Sequence, residues 1–229
     1  MYETDSVGRI WLDKDSFLAP FGHFEKDYEF VLKYLRDPFI ASRTFFEAFD
    51  ESVAIALYSQ YMQVSGCGWI GFYKNERAGF LILEAVSFHP MIYAIHGGLS
   101  RKLFGKGYGK RSMDFVKHFV FEKKSATKLE GYILHPNNFL LGHFKRSGLV
   151  KESELKDRLL IEGKLSPINI YGLTRENYLK NKEKEDGRFK ASSTRSNGAN
   201  KSTNESSRRR KTRTRKNKRF GRRKISRRK

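Results

Sequence analysis

Three glycines fall within five residues in the run Phe104-Gly105-Lys106-Gly107-Tyr108-Gly109-Lys110, between a predicted strand and a predicted helix. Glycines there let the backbone approach a ligand and take positive φ, and the helix start adds unpaired N–H groups and a positive dipole end. With Lys106 and Lys110 beside it, the run suits a phosphate or pyrophosphate; the same spelling also serves as a plain turn. It is not a Walker loop, because no Gly-Lys-Ser/Thr closes it. A dinucleotide fingerprint is disfavoured too, since the strands before it read as an antiparallel meander and no later strand ends in an acidic residue. Three side chains could take a proton nearby: His96 and Glu84 on adjacent predicted strands, and Glu130 on the strand after the helix. His96 has the most suitable ordinary pKa for a general base, although a strand histidine is also commonly structural. Six scattered histidines and one cysteine show no ligand spacing, so no metal is expected. Cys67, flanked by glycine, reads as packing rather than as a nucleophile.

The elements that position these residues mix two periodicities. Residues 10–12 read as a short strand. Residues 24–36 put Tyr28, Val31, Leu32 and Leu35 on one helical face, closed by Pro38. A second helix begins near 44–49, and 53–63 fits helix or strand equally well. Strands follow at 67–73, 79–88 and 91–100, separated by a turn at 74–77 and a break at His89 and Pro90. A helix over 112–123 carries Met113, Val116, Phe119 and Val120 on one face. Then come a strand at 129–134, a helix at 138–147 stopped by Gly148, and closing strands at 159–163 and 168–173. The order is α+β, with a mixed, mostly antiparallel sheet and flanking helices.

The stretch IHGGLSRKLFGKGYGKRSMDFV, with this order of elements, resembles the acetyl-coenzyme A motif of the GNAT superfamily: a strand, Arg/Gln-x-x-Gly-x-Gly/Ala, then a helix. Gly107 and Gly109 match its small positions, and Gly105 and Lys106 the residues before them. LEGYILHPNNFLLGHFKRSGLVKE is similar to the next block, with Asn137 on its Asn and Gly148-Leu149 on its Gly-Phe. INIYGLTRENY is similar to the last strand of the branch that acetylates ribosomal-protein N-termini. The resemblance implies acetyl-CoA as cofactor and an amine of a protein or small molecule as acceptor. It implies a bulged strand at Gly97-Gly98 that splays from its parallel neighbour and offers backbone groups of Gly98, Leu99 and Ser100 to the pantetheine arm. Gly105, Lys106, Gly107, Tyr108, Gly109, Lys110 and Asn137 complete the implied cofactor site, with His96 and Glu84 as catalytic candidates. Backbone N–H groups would hold the oxyanion during attack on the thioester. Two positions depart from the pattern. Phe104 replaces the Arg/Gln, leaving Arg101, Lys102 or Lys106 to substitute. Phe144 replaces a Tyr that protonates the departing thiolate.

Charge is unevenly spread. Of a net +21, residues 181–229 contribute +17, with 21 Lys and Arg against 4 acids. Residues 208–229 hold 15 Lys and Arg and no acid. The expected organisation is a GNAT-like domain at 1–179, a flexible polar linker at 180–207 and a disordered basic arm at 208–229. Arg208, Arg209, Arg210, Lys211, Arg213, Arg215, Arg219, Arg222 and Arg223 suit DNA or RNA phosphates without sequence readout. A nuclear-localisation signal has the same composition, and a membrane partner is disfavoured because the arm has no apolar face. One cysteine and no apolar leader point to a cytoplasmic protein. Two functions follow: an N-acetyltransferase tethered to nucleic acid or ribosomes, or a weak or inactive GNAT-like binding protein. For the second, a phage virion component is an example by architecture.

Overall fold

Lys74 and Asn75, both at positive φ (50° and 63°), form a two-residue turn joining β3 (Gly68–Tyr73) to β4 (Glu76–Ala85). Two left-handed residues in succession match the twist of the flanking strands, and the hairpin register follows from them. β4 therefore begins at Glu76, three residues earlier than the apolar run indicates. The computed structural model describes residues 2–22, 24–41, 67–86, 91–134, 137–161 and 163–184. The expected helix at 44–49, the undecided segment 53–63, the break at 89–90 and the arm 208–229 lie outside the described residues.

The remaining elements are β1 (Ile10–Asp13), β2 (Ser16–Pro20), α1 (Phe24–Leu35), the single turn α2 (Pro38–Ala41), β5 (Ile92–Leu99) and α3 (Tyr108–His118). After them come β6 (Lys128–Leu134), α4 (Asn138–Arg146), β7 (Val150–Ile161) and β8 (Lys164–Thr174). Eight strands form one sheet in the order β1-β2-β3-β4-β5-β6-β8-β7. Every neighbouring pair is antiparallel except β5 and β6, which α3 connects as a parallel pair. This is the mixed, mostly antiparallel α+β sheet expected from the sequence.

Successive strand residues point to opposite faces, so each strand serves two layers. Leu81 and Leu83 of β4 and Leu129 and Ile133 of β6 pack with Met113, Val116 and Phe144 from α3 and α4. The intervening Phe80 and Ile82 pack with Ile70 and with Val31 of α1. α1 is pinned to the sheet by Asp27, 3 % exposed, whose Oδ1 pairs with Arg77 of β4 at 2.8 Å. A nearly dry carboxylate needs such a partner, and breaking the pair leaves an uncompensated buried charge.

β2 and α2 are absent from the sequence reading, and several other elements differ from it. α3 starts at Tyr108 rather than near 112, because Gly107 (φ 77°) is its N-cap and Gly109 lies inside the first turn. β7 starts at Val150; it is an edge strand exposed along most of its length, and its charged sequence lacks the alternation of a half-buried strand. No bulge occurs at Gly97-Gly98: β4 and β5 pair without a register shift from Gly79↔Leu99 to Ala85↔Tyr93. The chain divides into two units, Met1–Leu179 and Lys180–Lys229. Of the expected linker, residues 180–184 are described, and they are helical.

Gly131 of β6 has no room for a side chain, because a Cβ there would run into the ring of Phe144. That ring is 3 % exposed and packs edge-on to Tyr171, with centroids 6.0 Å apart. Gly131→Ala is expected to destabilise the fold by about 1–3 kcal/mol, the usual cost of overpacking. Adding Phe144→Leu should recover part of that loss, and urea unfolding of the two single variants and the double variant checks the coupling.

Candidate functional site

β5 and β6 pair only as far as Ile95↔Gly131. β5 continues to Leu99 and β6 to Leu134, so the two strands part beyond that point. The phase of the β4–β5 ladder decides which backbone groups face the opening. Ser100 N–H donates to Ala78 O, and Val86 N–H donates to Ile92 O. Pairs in an antiparallel ladder alternate, so even-numbered residues of β5 point their N–H and C=O at β4. Odd-numbered residues point at β6. Gly97 and Leu99 thus present backbone groups to the opening, whereas Gly98 and Ser100 spend theirs on β4 and on the following turn, where Leu103 N–H donates to Ser100 O. Of the expected trio, only Leu99 faces the gap. Gly97 is the residue that the sequence reading missed.

A cavity of about 1000 Å³ occupies this region. Its walls come from both faces of the sheet: Tyr34, Phe80 and His96 on the α1 face, Leu81, Met113 and Phe144 on the other. The parting of the strands therefore opens through the sheet.

At the α3 end, Gly105, Gly107, Tyr108, Gly109 and Lys110 line the cavity. The N–H groups of Tyr108, Gly109 and Lys110 precede the first intrahelical bond, made by Arg111 N–H to Gly107 O. Gly105 and Gly107 both need positive φ (75° and 77°), which their residue type supplies without strain. Lys110 also pairs with Asp114 at 2.6 Å. Two of the three cations expected to replace the missing Arg/Gln are engaged elsewhere. Arg101 lies over the Phe39 ring, 4.5 Å from its centroid, and Lys102 pairs with Glu76 at 2.6 Å. Lys106 is exposed and outside the cavity wall. Arg146 of α4 lines the wall instead. Phe104 stacks on Phe139 with centroids 4.4 Å apart and planes 20° apart. Asn137 lines the cavity while its Oδ1 caps α4, accepting from Leu140 N–H at 3.1 Å.

On the α1 face, the register brings Glu84, His96, Glu130 and Tyr132 onto adjacent strands. His96 Nε2 lies 3.1 Å from Glu84 Oε2, and its ring stacks on Tyr132 with planes 26° apart. Glu130 is committed: Lys128 pairs with it at 2.8 Å and with Glu152 at 2.6 Å, and Tyr132 O–H donates to it at 3.2 Å. Burial, with the Glu130 charge adding, pushes the Tyr132 hydroxyl up to about 12, so it stays protonated. Phe144 lines the cavity as an apolar wall. Among the described residues, no three His, Cys, Asp or Glu side chains gather into a metal-binding set. Nor is any described helix long and apolar enough to cross a membrane.

The fold has close counterparts among solved structures. A GNAT-family acetyltransferase from Bacillus anthracis is similar at a TM-score of 0.59 and 16 % identity, covering 77 % of this chain and 99 % of its own. Spermidine N-acetyltransferase from Vibrio cholerae, in complex with CoA and spermine, is similar at 0.61 and 16 %, covering 73 % and 99 %. RimL, a ribosomal L7/L12 alpha-N-protein acetyltransferase in complex with coenzyme A, is similar at 0.59 and 13 %, covering 72 % and 97 %. No family model matches the sequence, and no curated protein does. At this identity the shared property is the fold.

His143 of α4 lines the cavity beside Gly109, and sequence reading missed it although the neighbouring Phe144 was singled out. Burial, helped by Arg146, lowers its pKa below the usual value of 6.5. The unfolded chain then binds more protons in the window below 6.5, so stability falls as pH drops through that window. His143→Gln is expected to flatten this acid-side loss, as measured by thermal unfolding between pH about 7 and about 5.

Proposed function

We propose, for a chain with the GNAT acetyltransferase fold, that it is an acetyl-CoA-dependent N-acetyltransferase acting on an amine of a protein or small molecule. The observation that carries this reading is the parting of β5 and β6 after Ile95↔Gly131, which leaves backbone groups of Gly97 and Leu99 facing a cavity open through the sheet. The fit is chemical as well as spatial. An arm with amide groups can pair with those strand-edge groups, and a pyrophosphate suits the start of α3 at Gly107. Asn137, Arg146 and His143 stand along the same wall. Three solved structures of this fold carry coenzyme A or acetyl-CoA, two described above and a microcin self-immunity acetyltransferase.

Bound acetyl-CoA would supply an activated acetyl thioester. The chain's own task is to hold it, orient an amine and take a proton. His96 is the proposed base, held by Glu84, whose Oε2 lies 3.1 Å from His96 Nε2. Gly97 N–H is the proposed oxyanion donor. The basic residues of 208–229 are proposed to bind DNA or RNA phosphates, on composition alone.

Phe104 and Phe144 favour a second reading, a GNAT-like binding protein with weak or no turnover, because both apolar rings stand where the family motif has polar groups. The enzyme reading requires coenzyme A to stabilise the fold; given binding, turnover separates the two.

Thermal shift checks the first step. At ligand about 100-fold above Kd, stabilisation of about 2.7 kcal/mol is expected; no shift at millimolar coenzyme A would sink the cofactor assignment. Given binding, thiol release with a panel of primary amines is expected to drop by about 10²-fold in His96→Gln. Equal rates in that variant and wild type would remove His96 from the chemistry. Deleting 208–229 is expected to abolish most nucleic-acid binding at low salt, and unchanged binding by that variant would refute the role of the arm.

A further inference from the structure

Tyr34 of α1 lies across the opening between β5 and β6. Its ring packs edge-on to Phe80, with centroids 5.4 Å apart, and covers Gly98 so closely that no Cβ could fit there. This contact, rather than a bulge, explains why position 98 is glycine. The Tyr34 hydroxyl accepts the Leu99 N–H at 3.0 Å. That N–H is one of the two strand-edge donors that face the gap. Among the described residues no acceptor takes the Tyr34 proton, and Tyr34 lines the cavity. Burial pushes the hydroxyl up to about 12, so it holds its proton at any physiological pH. A hydroxyl that accepts one hydrogen bond is polarised into a better donor for the next. The Asp27–Arg77 pair and the packing of Val31 on the sheet hold α1, and so the ring, in place.

We infer that Tyr34 is a cofactor-binding residue: the Leu99 N–H donates into its hydroxyl, and its own O–H donates a hydrogen bond to a carbonyl oxygen of the pantetheine arm. The strand-edge donor is thereby extended into the cavity from the face opposite to Phe144. The inference rests on the coenzyme A reading above, and it adds a residue from α1, whose sequence carries no cofactor motif.

The test is calorimetric titration of the full chain and of Tyr34→Phe, which keeps the ring on Gly98. Three probes are used: coenzyme A, phosphopantetheine and phosphoadenosine diphosphate, the nucleotide half. The variant is expected to bind coenzyme A and phosphopantetheine about five- to tenfold more weakly, the effect of one hydrogen bond, and the nucleotide half equally well. Equal loss for all three probes would mean a merely structural role and overturn the inference. Unchanged or tighter binding of phosphopantetheine by the variant would also overturn it, the latter by showing that Tyr34 blocks the donor. Absence of coenzyme A binding by the wild-type chain would bring down the cofactor reading and this inference together. Binding by wild type without a change in the variant would bring down this inference alone.

Discussion

A β-sheet is stable because neighbouring strands satisfy each other's backbone groups, and here two central strands stop doing so. Beyond Ile95↔Gly131 the one parallel pair among the described strands opens, while β5 stays bonded to β4 and β6 stays bonded to β8 along their full lengths. An unpaired polar backbone group away from water costs about as much as a lost hydrogen bond. A gap of this kind is tolerated only where something else supplies partners. Tyr34 supplies one at Leu99, and the proposed amide-bearing arm would supply the others. The glycines of the site follow from the same constraint. Gly98 admits the Tyr34 ring, and Gly131 admits the Phe144 ring at the point where the strands separate.

The two faces of the sheet then divide the work. α3 and α4 cover one face with the apolar core and bring the phosphate-suited start of α3 next to Arg146 and His143. α1 covers the other and leaves Glu84, His96 and Tyr132 exposed to the cavity. On this face Glu84 lies beside His96 and Glu130 pairs with Lys128. Phe144 lies on the core side and contributes no proton.

Much of this was legible in the chain. The meander was readable because 68–73, 76–85 and 92–99 are apolar enough to stand out between turns, and the glycine run marked the start of the following helix. His96 and Glu84 were readable as candidates from their residue types on neighbouring strands, and it is the β4–β5 register that puts them on one face. The misses have physical causes. Gly109 weakened the helix signal, so α3 seemed to start at Ser112. Neither face of β7 is covered along most of its length, so no period-two apolarity marks it. Which of Gly97, Gly98, Leu99 and Ser100 face the gap depends on ladder phase, a property of pairing that no local pattern encodes. Tyr34 reaches the cavity from a helix distant in sequence, so only the packed fold brings it there.

The most direct measurement is a backbone-amide NMR titration of the chain with coenzyme A. An arm held in the strand opening is expected to give its largest shifts at Gly97 and Leu99 on the strand edge and at Tyr108 and Gly109 at the start of α3. Shifts absent from these four amides at saturating ligand, or confined to surfaces remote from the opening, would contradict the placement of the cofactor between β5 and β6.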